Sequence, residues 1–428
     1  MIKIRELNKG FVLVFSLIIL TLIILSVETY FYVAGSGLII ANITADSKRA
    51  YYLADAGLAD AFMQLRGYAI PPSSFTVSNN NYSIGGKIGR YSVQVSSNNA
   101  AWATFTITST GTYGNIGKTL QLTVQQTSAS MFAYLSNSEI SPVWGPLWWI
   151  TNMYTVGPVH TNGQFNIWGD PIFDGSVSQA ASTINYWPGV VTKPSDFQGG
   201  LTLNAPAQAV FNNVILNNIS AAASSSGGLL LSGDSAVTFN ADGTINVTNS
   251  AKGWVNKNIP APSNKAIYVQ NGSATVKGTV NGQLTVGSDN TIYISNNISY
   301  NSDPDPTHPN LSSTDIVALV AQNNIVVQAA TAPANVKIEA VMVAINGSFQ
   351  VDNWWAPGKG NMLQYGSLVN NVCGPTGVFD PGTGTLYGGY NQLQYYDPKL
   401  KTLIPPWFPP AKDSSGRIAY SKMNFKEL

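Results

Sequence analysis

The run of apolar and polar positions divides the chain into three stretches. The first is an unbroken apolar run, "FVLVFSLIILTLIILSV", from Phe11 to Val27. It holds no charge, proline or glycine, and about 17 residues at ~1.5 Å rise reach the short limit of a bilayer span. The run resumes beyond Glu28 as "TYFYVAGSGLII". The next segment, "ADSKRAYYLADAGLADAFMQLRG", is amphipathic. Ala50, Ala54, Gly57, Leu58, Ala61 and Leu65 recur in steps of three and four, giving one apolar and mostly small-sided face. Small residues there let another backbone come close. No proline precedes Pro71, so the pattern predicts one long helix over 11–66, with a transmembrane half at 11–34. Gly35 and Gly37 lie midway, each costing about 1 kcal/mol relative to Ala. They mark the membrane exit or a point of local melting.

The second stretch, 67–128, changes period. Tyr91, Val93 and Val95, then Phe105 and Ile107, then Leu120, Leu122 and Val124 alternate with polar residues. This predicts a small antiparallel sheet whose apolar face packs on the C-terminal half of the helix. The third stretch, 129–428, repeats short apolar runs such as "AIYV", "NTIYIS", "IVALVAQ", "VKIEAVMVA" and "GSFQV", separated by Gly or Asn. The expected fold class is therefore an α+β module, a long helix plus a small antiparallel sheet, followed by a large all-β domain. A parallel β-helix is favoured for that domain because its turns stack apolar residues inward and accept Asn at the corners. A β-sandwich is the alternative.

Composition narrows the function. Only 10% of the 428 residues are charged and the net charge is +1. No basic patch of the kind that neutralises phosphates is visible, so nucleic acid is not an expected partner. Cys373 is the one cysteine, which excludes an intramolecular disulfide and a Cys-rich metal site. Lys3, Arg5 and Lys9 precede the apolar run and keep that end cytoplasmic. Tyr32-Val33-Ala34 fits a signal-peptidase site poorly, and no cysteine follows the run as a lipoprotein would need. On hydropathy alone this is an uncleaved anchor.

Candidate chemistry is sparse. Asp170 with Asp174, and Asp303 with Asp305, are acid pairs of the type glycosidases use. Each of these acids stands before Pro or Gly or in a Pro-rich loop, which reads as turn chemistry. Asp303 and Asp305 are also conceivable oxygen ligands for calcium, although the alternating acids of a dedicated loop are missing. His160 and His308 lie far apart in sequence, and "GPVHTNG" suits a corner hydrogen-bonder at His160. No G-x-S-x-G, H-E-x-x-H or P-loop occurs, so no catalytic residue, resident metal or cofactor is expected. Aromatics are the remaining signal. Trp144, Trp148, Trp149, Trp354 and Trp355 are either ligand-stacking faces or caps on the open ends of a solenoid.

Two motifs carry a resemblance. "NKGFVLVFSLIIL" resembles a prepilin leader, and "RAYYLADAGLADA" is similar to the "A-F-Y-x-A-E-A-G-L" signature of PilX-type minor pilins and the related tip pseudopilin. The likeness covers about residues 5–66, and "STGTYGNIGKTLQLTV" is similar to what commonly follows that helix. The resemblance implies a leader over 1–10, cut by a prepilin peptidase between Gly10 and Phe11. It also implies other pilins and an inner-membrane assembly platform as partners, and a filament outside the cell after residence in the membrane. Major pilins carry Glu at the fifth mature position, where it neutralises a neighbour's amino terminus; here that residue is Phe15. A subunit with no neighbour above it has no such charge to compensate, so the departure implies a tip subunit that starts assembly and displays its head. Stretches near "GPVHTNGQFNIWGDPIFDGSV" and "GYNQLQYYDPKLKTLIPPWFPP" resemble the ends of a domain of unknown function found after pilin-like N-termini. Two other readings stay open: a permanently anchored surface protein, and a polysaccharide-active enzyme on a pilin stalk.

Overall fold

The computed structural model describes residues 4–68, 72–84, 86–97, 104–187, 197–208, 214–302, 305–383, 385–408, 415 and 417–428. A long N-terminal helix leads to a small antiparallel sheet and then to a large, mostly β domain with mixed sheets. Helix α1 (Ile4–Gly67) runs for 64 residues, or ~96 Å. It begins before Phe11 and continues through Gly35 and Gly37 without a break. The serine and threonine side chains of the apolar half turn onto their own helix. The hydroxyls of Ser16, Thr21, Ser26, Thr29, Ser36 and Thr44 each donate to a carbonyl three or four residues back. None of these six hydroxyls then needs water. By length and composition α1 can cross a membrane.

From Asp46 onward α1 packs on a sheet. Strands β1 (Ser74–Ile84), β2 (Lys87–Ser97), β3 (Thr104–Tyr113) and β4 (Ile116–Gln126) form an antiparallel meander. Alternation in the sequence becomes alternation in burial: Tyr91, Val93, Val95, Phe105, Ile107, Leu120, Leu122 and Val124 meet Ala54, Leu58, Ala61 and Leu65 of the helix. Helix and β3 come close enough that a Cβ at Gly111 would stand 2.2 Å from the Ala50 carbonyl oxygen, and one at Gly57 would strike the Ser109 hydroxyl. The backbone admitted by the small-sided stripe is thus the chain's own β3.

A fifth strand completes this sheet from the far end of the chain. Tyr420–Glu427 pairs antiparallel with β4, and Lys118 Nζ lies 2.6 Å from Glu427 Oε1. The expected division at 129–428 therefore needs correction, because the last strand belongs to the first sheet. The stretch "YSKMNFKE" carries no alternation that marks it as a strand, and only the edge of β4 makes it one.

In the large domain, parallel pairing links strands distant in sequence. One ladder runs through Leu229–Ser232, Ala266–Gln270, Gln283–Ser288, Ile316–Ala321, Val336–Ala344 and Asn361–Val372. It continues through Tyr134–Ser138, Val159–Thr161, Val177–Gln179 and Leu201–Thr202. A second runs through Ser235–Phe239, Ala274–Val280, Ile292–Tyr300, Ile325–Val327 and Phe349–Val351. A third joins Asn361–Gly366 to Asn391–Tyr396, Tyr154–Val156 and Ile172–Asp174. Leu231, Val276, Ile294, Leu319, Ile338 and Leu368 are among the core residues they enclose. The outer side of the first ladder is covered by helix α2 (Val214–Ser224) and by Leu400, Ile404 and Phe408. Strands buried on both faces read as unbroken apolar runs, which is why "IVALVA" is buried at all six positions. Asn152, Asn271 and Asn353 take positive φ between strands, a conformation Asn tolerates better than most residues.

The sheet is mixed. The edge of Ser235–Phe239 is taken by the antiparallel strands Thr244–Asn249 and Trp254–Pro260. The stack also does not begin where the chain does. The chain enters the ladder at Tyr134–Ser138, winds outward to Leu201–Thr202, and reappears at the opposite end at Leu229–Ser232. It then winds back until Asn361–Val372 pairs with Tyr134–Ser138. The first strand of this ladder in chain order thus meets the last at a seam inside it.

Candidate functional site

The sequence-singled aromatics gather at this seam. Trp144, Trp148, Trp149 and Trp354 line one cavity of about 230 Å³, with Phe349, Leu368 and Tyr390. They come from two distant stretches, which the pairings of Leu368 with Tyr134 and of Leu393 with Tyr154 bring together. Trp144 and Trp354 meet edge to face, 5.3 Å between centroids, and Trp148 meets Trp187 at 4.8 Å. Trp149 is buried and packs on Tyr134, Phe165 and Phe173. Trp355 is exposed, stands 5.3 Å from Trp354, and is not part of the lining. The seam lies part-way along the ladder, so these residues do not cap an open end, one of the two roles expected for them.

Behind the cavity wall sits a residue that sequence reasoning missed. Glu139 is buried and accepts hydrogen bonds from the Tyr134 hydroxyl at 3.1 Å, from Ser136, and from the Trp149 indole at 3.3 Å. Burial pushes its carboxyl up, while Ser136 and Trp149 oppose that shift. The Cys373 thiol, in the same cavity wall, is pushed well above its ordinary value by burial and by Glu139, which disfavours its thiolate. Nothing in "SNSEISP" marks Glu139 as interior. A second buried set had a visible signal, an acid inside "VKIEAVMVA". Glu339 is fully buried, accepts from the Tyr300 amide, and has Lys337 Nζ 3.5 Å away. Nearby Asp397 accepts from Tyr365 at 3.3 Å and has Lys399 Nζ 3.7 Å away. Burial raises Asp397, and Lys399 opposes this.

The other candidates are scattered. His160 is buried in a strand, bonded to Ser178 and Asn162, and burial lowers its pKa. Asp174 is exposed and receives Tyr154 at 3.4 Å. The Asp170 amide donates to Thr151. Asp305 accepts from the Thr307 amide and hydroxyl and lies 3.2 Å from His308; the Thr307 bonds hold it down at about 2. Asp303 lies outside the described residues. Among the described residues no three His, Cys, Asp or Glu side chains gather as a metal group would need. Ala50, Ala54, Gly57, Leu58 and Ala61 face β2 and β3, and Phe11 and Phe15 are exposed, 6.3 Å apart ring to ring on the bare half of α1.

Residues 89–182 match a family described as a domain of unknown function, DUF4900. The match runs from β2 into the first strands of the large domain. No curated protein matches the sequence. Among solved structures, the chain is similar to the crystal structure of the competence-associated pilin ComZ from Thermus thermophilus, at 13% identity and a TM-score of 0.36, over 90% of this chain and 98% of that one. A likeness at that identity and TM-score carries no argument for fold or function.

Proposed function

We propose that this chain is a minor pilin-like subunit of a type IV pilus or related secretion filament, placed at the tip, with no enzymatic role. In this reading the ladders of the large domain are the faces of a parallel β-helix, held outside the cell for adhesion or for binding a partner. The observation that carries it is the two-part helix. The half from Phe11 to Ile43 is apolar and exposed, while the half from Asp46 is committed to a sheet. So much bare apolar surface demands lipid before assembly and neighbouring helices after it. A permanent anchor explains the first demand but gives no reason for the Lys9-Gly10-Phe11 junction or for a helix extending far past the bilayer. Prepilin peptidase and the inner-membrane platform are the partners implied.

Phe15 supports a rare subunit, since it cannot neutralise a neighbour's ammonium. A head spanning residues 129–419 would also crowd a shaft that repeats every few ångströms. The test is processing and placement together. Gly10→Val should retain the leader and block incorporation, and the incorporated protein should begin at Phe11 by mass spectrometry. Immunogold against the head should label filament ends. An assembled chain starting at Met1 refutes the filament reading, and even label along the shaft refutes the tip.

A further inference from the structure

We infer that the seam cavity of the head binds a neutral sugar ring. No charged side chain lines it, so nothing there compensates a carboxylate, phosphate or amine. Its rim carries Trp144 and Trp354 nearly perpendicular, at 80°, which offers a flat apolar face beside an indole edge. The indole N–H of Trp149 is taken by Glu139, whereas those of Trp144, Trp148 and Trp354 have no acceptor among the described residues. Gln392 and Thr376 add an amide and a hydroxyl to the wall. A pyranose matches this set, having C–H faces that lie on aromatic rings and hydroxyls that accept from N–H groups.

Size and rigidity point the same way. A cavity of about 230 Å³ is below the range of drug-sized ligands and suits a single ring. A proline-rich peptide would need a long open groove with parallel aromatic slots, and the perpendicular tryptophans do not form one. The wall is fixed by close backbone contact. A Cβ at Gly374 would stand 2.3 Å from the Phe349 carbonyl oxygen, and one at Gly377 2.7 Å from that of Gly388. A site held this way loses little freedom when it is filled.

This inference deepens the adhesive role proposed for the head, but its test needs no filament, so failure here leaves the placement test standing. Full-length protein in a sugar-free detergent is titrated with the methyl glycosides of glucose, galactose and N-acetylglucosamine. Tryptophan fluorescence and saturation-transfer NMR report binding. At least one glycoside should give a saturable response. Trp354→Ala should raise its Kd at least tenfold, and Trp254→Ala, in the distant hairpin, should leave Kd within twofold. Circular dichroism checks each fold. If Trp354→Ala unfolds the head, Trp144→Ala at the exposed rim takes its place with the same tenfold expectation. No saturable response to any of the three overturns the inference. So does a response that the rim substitution leaves unchanged, or a response to oligoproline alone.

Discussion

At the residue scale, the closest constraint in the N-terminal module is the approach of β3 to α1 at Gly111. A side chain there would drive into the Ala50 carbonyl and the Ala54 amide, and helical backbone cannot yield as a flexible side chain does. Gly111→Val should therefore destabilise the helix–sheet unit by about 2–3 kcal/mol, read as a lower thermal midpoint and faster proteolysis within 46–126. The small-sided stripe on α1 was legible because its period is local. Gly111 was not, since "STGTYG" is ordinary turn language until a helix crosses it. Glu139 permits a pH prediction. Burial raises its pKa, so in the folded protein it holds its proton above the ordinary range near 4.5. As pH rises past that value the unfolded chain gives up its proton first, and folding loses stability until the folded value is passed. The thermal midpoint of Glu139→Gln should consequently fall less than that of wild type between pH 4 and 7. Parallel curves would mean that the carboxyl is ionised in the fold.

At the element scale, type was easier to read than partnership. The alternation in β2, β3 and β4 specified strands and their buried face, and continuous runs such as "IVALVA" marked strands of the large domain. What the runs do not contain is the coverer. Here it is α2 and the Leu400–Phe408 segment, both remote in sequence. Strand β1 was overlooked because "SFTVSNNNYSI" dilutes its apolar positions with asparagine. The strand Tyr420–Glu427 was missed because its exposed positions leave no period to find. That strand nevertheless has a clear duty, since it occupies the edge of β4, and an unpaired edge recruits other strands. Truncation after Ala419 should leave a folded head but convert a monodisperse preparation into aggregates, measured by light scattering in detergent. An unchanged size distribution would show that the edge is protected without it. Reversing the Lys118–Glu427 pair one residue at a time should cost under about 1 kcal/mol, because both groups are exposed.

At the scale of the whole molecule, the large domain is an insertion between β4 and the last strand. Its two connections run side by side, with the Thr127 amide donating to the Ala419 carbonyl at 2.9 Å. A fragment of residues 128–419 should then be soluble and give a β-type circular dichroism spectrum with a cooperative melt. A helical spectrum, or no melt, would contradict an independent head. The sequence made the size and β character of this domain visible but not its winding order, because only a parallel ladder can place residues 134–138 against 368–372. The paired connections also bear on torque and tension. A domain hung from one strand swivels about it, and a pull on it peels that strand away from the sheet hydrogen bond by hydrogen bond. Here traction on the head would divide between two adjacent strands of the same sheet, pulled together rather than apart. Twisting would be resisted by their separation. A load on whatever the head holds would therefore reach the small sheet through both connections at once, without unravelling either strand.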